Sequence, residues 1–348
     1  MIEPDHVGGT PLIQIEGVWV KLECANPGGS VKDRIAAFML REAATRGELH
    51  PGDTVVEATS GNTGIALAMA GAALGHPVLI FMPEHMSAER CEMMRALGAE
   101  VRLTPRADSF AGAVAARNAY RGRPGYYVPD QFGNPDNPRG HHLTTGRELI
   151  DQLGHSGVHA LDWFVAGIGT GGTLMGVGQA LRAAMPGVRI AAVEPDESAV
   201  LSGEEAGDHG IMGIGDGFVP ALVDRAALDQ VVRVSTRDAH ETAERLRRQH
   251  GYCVGRSAGA NLVAALRLAS TGAKVATLWP DCSDRYVSVG LESPDSSDVT
   301  CPLRALCLER SRGMLRGRDD PHAGLAPASR RPKPTRSTRG SRSREDTE

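Results

Sequence analysis

The chain has 348 residues, 42 of them glycine, with 41% hydrophobic and only 4% aromatic content. That is enough for two α/β domains with a real core. A formal net charge of −4 excludes nucleic-acid binding by the chain as a whole. The longest apolar helical stretch, 64–75, is too short for a bilayer, and "MIEPDHVGGTP" has no apolar signal core. The expectation is a cytoplasmic protein without a membrane partner.

In chain order, "VWVKLE" (18–23) alternates as a strand does. "DRIAAFMLREAATRG" (33–47) has helical spacing and stops at Gly47. "DTVVEA" (53–58) reads as a buried strand followed by the helix "TGIALAMAGAALG" (63–75). Strand "PVLIFMP", helix "SAERCEMMRALG" with Ser87 as N-cap, strand "AEVRLTP" and helix "SFAGAVAARNAYR" continue the alternation. "GYYVPDQF" (125–132) closes this run, and "NPDNPRG" (134–140) reads as a proline-rich link before the helix "TTGRELIDQLG". A second run follows: "DWFVAG" (162–167), "LMGVGQALRAAM", "RIAAVEP", "AHETAERLRRQHG", "GANLVAALRLAS" and "KVATLWP". Such alternation means parallel sheets with right-handed crossovers, and a crevice between two domains is a natural small-molecule site.

From about residue 292 the periodicity ends. Residues 301–348 hold 12 Lys/Arg against 6 Asp/Glu. This is a disordered, solvated basic tail by composition, with contact to an acidic partner or RNA as the alternative. The six cysteines form no C-x-x-C pair or zinc spacing. His141 and His142 are adjacent and face apart on any regular element, so no metal site is expected.

Three loops and one lysine carry the chemistry. "NPGGSVKDR" (26–34) places Lys32 at a strand–loop–helix junction without the G-x-x-x-x-G-K-[S/T] of a P-loop. The remaining role for such a lysine is covalent, condensing with a carbonyl. "TSGNTG" (59–64) offers Thr59, Ser60, Asn62 and Thr63 at a helix start, more than one cap requires and suited to a carboxylate. "GIGTGGT" (167–173) suits a phosphate through its glycine N–H groups and the Thr170 and Thr173 hydroxyls. The third loop, "GRSAGAN" (255–261), sets Ser257 either as an N-cap or as the holder of a ring nitrogen.

A rival reading takes Gly167, Gly169 and Gly172 as G-x-G-x-x-G, with Glu194 as the ribose acid of an NAD-binding protein. Glu194 lies 27 residues past Gly167, beyond the usual spacing of roughly 20. NAD accounts for one loop. Pyridoxal 5′-phosphate, with its aldehyde, phosphate and ring nitrogen, accounts for all of them, the amino-acid substrate supplying the carboxylate.

"GGTPLIQI", "KLECANPGGSVKDR", "EATSGNTGIALA", "DQFGNPDNPRGHHLTTG", "GIGTGGTLMGVG", "HGIMGIGDGFVP" and "GRSAGAN" occur in this order over about residues 8–291. Together they resemble the cysteine synthase (O-acetylserine sulfhydrylase) and cystathionine β-synthase family, fold type II pyridoxal-phosphate enzymes. The resemblance implies a two-domain α/β fold of the tryptophan synthase β type, each domain an open, mostly parallel sheet flanked by helices. Residues 1–33 with 134–291 would form the larger, cofactor-binding domain and 34–133 the smaller, mobile one.

It further implies that Lys32 condenses with the cofactor's aldehyde, that Asn62 meets the ring hydroxyl and that Ser257 meets the ring nitrogen. Gly169, Thr170, Gly171, Gly172 and Thr173 would hold the phosphate. Thr59, Ser60, Thr63 and Gln131 would hold the substrate carboxylate, with the loop around Gly215 facing the site. A homodimer is expected. The departures are a short N-terminal segment, Cys282 where a small polar residue belongs, and the tail.

The implied reaction is β-replacement on an O-activated L-serine, O-acetyl-L-serine plus sulfide giving L-cysteine and acetate. A neutral serine at the ring nitrogen fits that path better than transamination. Cystathionine synthesis or a specialised β-replacement is the alternative, and a scaffold protein on a decayed site is disfavoured by Lys32 itself. Loop 209–220 has no Arg or Lys, leaving Arg256 as the cation beside the site by sequence position.

Overall fold

The computed structural model describes residues 6–59, 61–286 and 288; the expected basic tail and Ser60 lie outside the described residues. Two sheets form. The first is built from β1 (Leu12–Ile15), β2 (Val18–Leu22), β7 (Trp163–Gly167), β8 (Arg189–Pro195), β9 (Gln230–Val234) and β10 (Val275–Trp279), in the order β1-β2-β10-β7-β8-β9. Only β1, a hairpin partner of β2, runs antiparallel. The second sheet contains β3 (Thr54–Ala58), β4 (Val78–Pro83), β5 (Glu100–Thr104) and β6 (Tyr126–Tyr127), all parallel in the order β5-β4-β3-β6. Central strands β4 and β10 are buried along their whole length, as continuous apolar runs covered on both faces must be.

Helices α1 (Lys32–Thr45), α2 (Asn62–Leu74), α3 (Ala88–Ala96) and α4 (Ser109–Asn118) flank the smaller sheet region. α5 (Asp136–His141) and α6 (Arg147–His155) lead into α7 (Gly172–Ala184), α8 (Thr236–His250) and α9 (Arg256–Ala269) around the larger one. Gly75 and Gly251 end α2 and α8 at positive φ, the conformation glycine adopts at no steric cost.

Three local expectations are corrected. "NPDNPRG" is no link: α5 starts there, with Pro135 at the cap, where a missing N–H costs nothing. The strand expected over 125–132 shrinks to Tyr126–Tyr127. Ser87 occupies the N-cap position of α3 without capping it; its hydroxyl instead donates to the Arg285 carbonyl at 3.1 Å.

A buried ionic cluster fixes the base of the Lys32 loop. Arg34 forks onto Glu23, Nε to Oε2 at 2.6 Å and Nη2 to Oε1 at 2.8 Å, and onto both oxygens of Glu148 at 2.8 Å. Lys21 joins it through Glu148 at 3.0 Å and Gln152 at 2.8 Å. Strand β2 and helices α1 and α6 are thereby tied together. Lys32 begins α1 two residues before Arg34, so this cluster anchors the helical turn that carries it.

Candidate active site

The loops that follow β2, β3, β7 and β10 all leave the carboxyl ends of parallel strands, where open α/β sheets gather ligands. One cavity there is lined by Lys32, Thr59, Asn62, Thr63, Gln131, Gly169 and Thr170, and also by Arg90, Phe110, Phe132, Gly213 and Asp216. An adjoining recess is lined by Lys32, Gly169, Thr170, Gly171 and Thr173. Six stretches of sequence distant from Lys32 therefore meet around it in the first cavity.

Lys32 Nζ forms no hydrogen bond to a described residue. Burial holds its pKa below the usual lysine range, opposed by Asp281 and Asp216. A desolvated amine of this kind supplies the neutral form that nucleophilic and base chemistry need.

The loop after β3 is braced by hydrogen bonds from its neighbours. Thr63 donates its hydroxyl to Gln131 Oε1 at 2.5 Å, and Gln131 Nε2 donates to the Ala58 carbonyl at 3.1 Å. Gln131 N donates to Glu57, which Arg117 holds at 2.8 Å. Thr59 Oγ1 accepts from Gly61 N at 3.0 Å.

The glycine loop packs too closely against its neighbours to carry side chains. A Cβ on Gly169 would lie 2.4 Å from the Gly213 carbonyl, and one on Gly172 would lie 1.8 Å from Asn137 Oδ1. Asn137 Nδ2 donates to Thr170 Oγ1 at 3.0 Å, while His141 Nε2 lies 3.2 Å from the Thr173 hydroxyl. Burial drives the His141 imidazole down to about 3, so it stands neutral behind the loop.

Ser257 is the second residue of α9, buried, and caps nothing. Its hydroxyl makes no hydrogen bond to a described residue. Gly215 is turned toward Pro195, and its carbonyl meets His209 Nε2 at 2.8 Å; Gly213 and Asp216 are the members of that loop that line the cavity.

The dinucleotide reading loses its acid. Glu194 accepts from the backbone N–H groups of Leu201 at 2.8 Å and Ser202 at 3.1 Å and from the Ser202 hydroxyl. It braces the following turn instead of serving the glycine loop.

Arg90 is the cavity charge that the sequence motifs did not place, whereas Asp216 belongs to the loop expected to face the site. Arg90 stacks over the Tyr286 ring at 4.5 Å and fills the space above Gly61, where a Cβ would lie 2.1 Å from its Cδ. Burial raises the Asp216 carboxyl above its ordinary value, against the pull of Lys32, His209 and Arg90. Arg256, by contrast, donates Nη1 to the Gly210 carbonyl at 3.2 Å and is not among the cavity-lining residues.

An unengaged lysine amine and a glycine loop closed to any Cβ fit a cofactor with an aldehyde and a phosphate, while Ser257, its hydroxyl unspent among the described residues, is not among the residues lining either cavity. These features define a pyridoxal-phosphate site on an α/β scaffold. Comparison with known proteins agrees: the sequence profile of the family described as "Pyridoxal-phosphate dependent enzyme" matches residues 4–278. The chain belongs to that family.

A cysteine synthase of Staphylococcus aureus (strain N315) is 43% identical over 300 residues, covering 83% of this chain and 96% of the relative. Among solved structures, the cysteine synthase of Entamoeba histolytica is 37% identical with a TM-score of 0.78, over 88% of this chain and 94% of that one. An O-acetylserine-dependent cystathionine β-synthase from Helicobacter pylori is also 37% identical with a TM-score of 0.78, over 84% and 99%. The architecture is that of the fold type II enzymes, and the cofactor is pyridoxal phosphate.

Proposed function

We propose that the protein catalyses β-replacement on O-acetyl-L-serine, with sulfide as the nucleophile and L-cysteine and acetate as products. The observation that carries this is the position of Lys32, whose amine lies in one cavity with both the carboxylate loop and the phosphate cradle. The likeness to cysteine synthases of two organisms supports the same reaction.

In this reading Lys32 binds the cofactor's aldehyde, and Gly169 to Thr173 hold its phosphate at the positive end of α7. Neutral His141 fixes the Thr173 hydroxyl. Ser257 holds the ring nitrogen without protonating it. When bound, the cofactor supplies the electron sink for the substrate's α-carbon.

Thr59, Ser60, Thr63 and Gln131 hold the substrate carboxylate, with the Gln131 amide oriented by Thr63 and Ala58. Once released by the substrate's amine, the Lys32 amine would take the Cα proton. Ser257 as a neutral partner of the ring nitrogen would favour loss of acetate from Cβ and addition of the nucleophile there. The lost Cα proton returns from Lys32. Residues 1–33 with 134–291 act as the cofactor-binding domain and 34–133 as the mobile one, in a homodimer.

The test is direct. Protein loaded with pyridoxal phosphate is given O-acetylserine and sulfide, and L-cysteine is measured. No cysteine above the no-enzyme control would overturn the reading. The second reading, cystathionine synthesis, is favoured by the likeness to the Helicobacter enzyme, and homocysteine in place of sulfide decides between them.

A further inference from the structure

Asn62 begins α2, and its carboxamide is gripped from both ends by the segment after β10. Nδ2 donates to Asp281 Oδ2 at 2.6 Å, and Oδ1 accepts from Arg285 Nη1 at 3.1 Å. Two partners of opposite character remove the usual ambiguity of an amide. A guanidinium only donates and an ionised carboxylate only accepts. Turning the amide over would set N–H against N–H and oxygen against oxygen. One Nδ2 hydrogen then remains to be used.

The grip is itself held. Tyr286 donates its hydroxyl to the same Asp281 Oδ2, so that oxygen takes two donors and is an acceptor whatever the protonation of Oδ1. Arg285 is fully buried and donates Nη2 to the Gly28 carbonyl at 3.0 Å, in the Lys32 loop. Asp281 is 1% exposed, and its Oδ1 has no hydrogen-bond partner. A buried carboxylate with a wasted oxygen is a cost to folding.

We propose that Asp281 and Arg285 are positioning residues that lock the Asn62 carboxamide with its amine end toward the ring hydroxyl of the bound cofactor. The inference rests on the proposed function, which places pyridoxal phosphate on Lys32. Asn62 donation to the ring oxygen stabilises negative charge there and keeps the Lys32-bound nitrogen protonated. The fraction of cofactor absorbing in the visible region reports that state. A carboxamide free to rotate presents its oxygen half the time, repels the ring oxygen and moves absorption to the near ultraviolet.

The experiment uses the full chain stripped of cofactor and titrated with pyridoxal phosphate, reading the dissociation constant and the ratio of visible to near-ultraviolet absorption. Asp281→Ala is expected to raise the dissociation constant about tenfold or more, the effect of one lost charged hydrogen bond, and to lower the ratio. Asp281→Asn retains a carbonyl that accepts both bonds and stays close to the unaltered protein in both readings. Asn62→Ala combined with Asp281→Ala is no worse than Asn62→Ala alone, because the pair acts through one amide.

An unchanged ratio in Asp281→Ala, or losses that add in the double variant, overturns the proposal. Should Asp281→Ala fail to fold by circular dichroism, Asp281→Ser takes its place, and an unchanged ratio or additive losses there overturn the proposal equally. Absence of any visible band in the unaltered protein would instead overturn the function on which the proposal rests.

Discussion

His141 Nε2 lies 3.2 Å from the Thr173 hydroxyl, while the opposite ring nitrogen lies 2.8 Å from the hydroxyl of Thr145. Both nitrogens are engaged by hydroxyls, which serve as donor or acceptor as the neutral ring requires. The histidine is thereby part of the glycine-loop framework and not a titrating group at ordinary pH.

A pH dependence of stability follows. The folded pKa of His141 is lowered by burial to about 3, against roughly 6.5 in the unfolded chain. The unfolded state therefore takes up a proton first as pH falls. Stability is fully present above about pH 6.5 and is lost progressively toward pH 3, with a limiting slope of about 1.4 kcal/mol per pH unit. In urea unfolding at pH 7.5 and 5.5, the unaltered protein should lose about 1.4 kcal/mol more than His141→Gln, which keeps both hydroxyl partners. Equal losses would show an imidazole that titrates normally.

The ionic cluster at the base of the Lys32 loop gives a second prediction. Glu23 is 0% exposed and Arg34 is 3% exposed, and Arg34→Met leaves two carboxylates with Lys21 as the remaining cation of the cluster and the neutral donors Thr10, Asn26 and Gly9 beside it. Removal of one partner from such a pair costs about 3–5 kcal/mol. Denaturant midpoints measure it. A loss under about 1 kcal/mol would mean that water reaches Glu23 and solvates it.

For Lys32→Ala, cysteine formation should fall at least about a hundredfold, the range for loss of a base or nucleophile. Stability should change by no more than about 1 kcal/mol, because the amine bonds to no described residue. Circular dichroism and the cofactor's visible absorption separate these effects: the fold should persist and the band should vanish. Near-normal turnover would remove Lys32 from the chemistry.

The local part of this site was legible from sequence. Alternating strands and 3.6-residue helices mark the junctions around Lys32, Thr59 and Gly169, because each signal lies within a dozen residues. What depends on chain regions meeting was not. Arg90 reads as one charge among several in "SAERCEMMRALG"; only the approach of Gly61 and Tyr286 makes it a cavity residue. Asp281 gains its meaning from Asn62, 219 positions away. The helix at Asp136–His141 was hidden by Pro135 and Pro138, although both sit at its start, where proline is tolerated. Edge strand β1 is only four residues long, and β9, as long as β10 but only partly buried, lacks the continuous apolar run of a central strand.

Charge within the cavity decides the leaving group. Discharge of a phosphate from Cβ requires a free cation at that end of the cavity, since a dianion leaves poorly beside a carboxylate. Arg256, the candidate by sequence position, is committed to the Gly210 carbonyl. Arg90 does line the cavity, but its guanidinium lies on the Tyr286 ring, and Asp216 lines the same cavity. A neutral acetyl ester needs no such cation. O-acetylserine should therefore exceed O-phosphoserine by at least about tenfold in kcat/KM, about 1.4 kcal/mol of transition-state discrimination. Steady-state assays with both donors and sulfide measure it. Equal or better use of O-phosphoserine would show that Arg90 leaves Tyr286 to meet the phosphate, and Arg90→Gln would then abolish that use while sparing O-acetylserine.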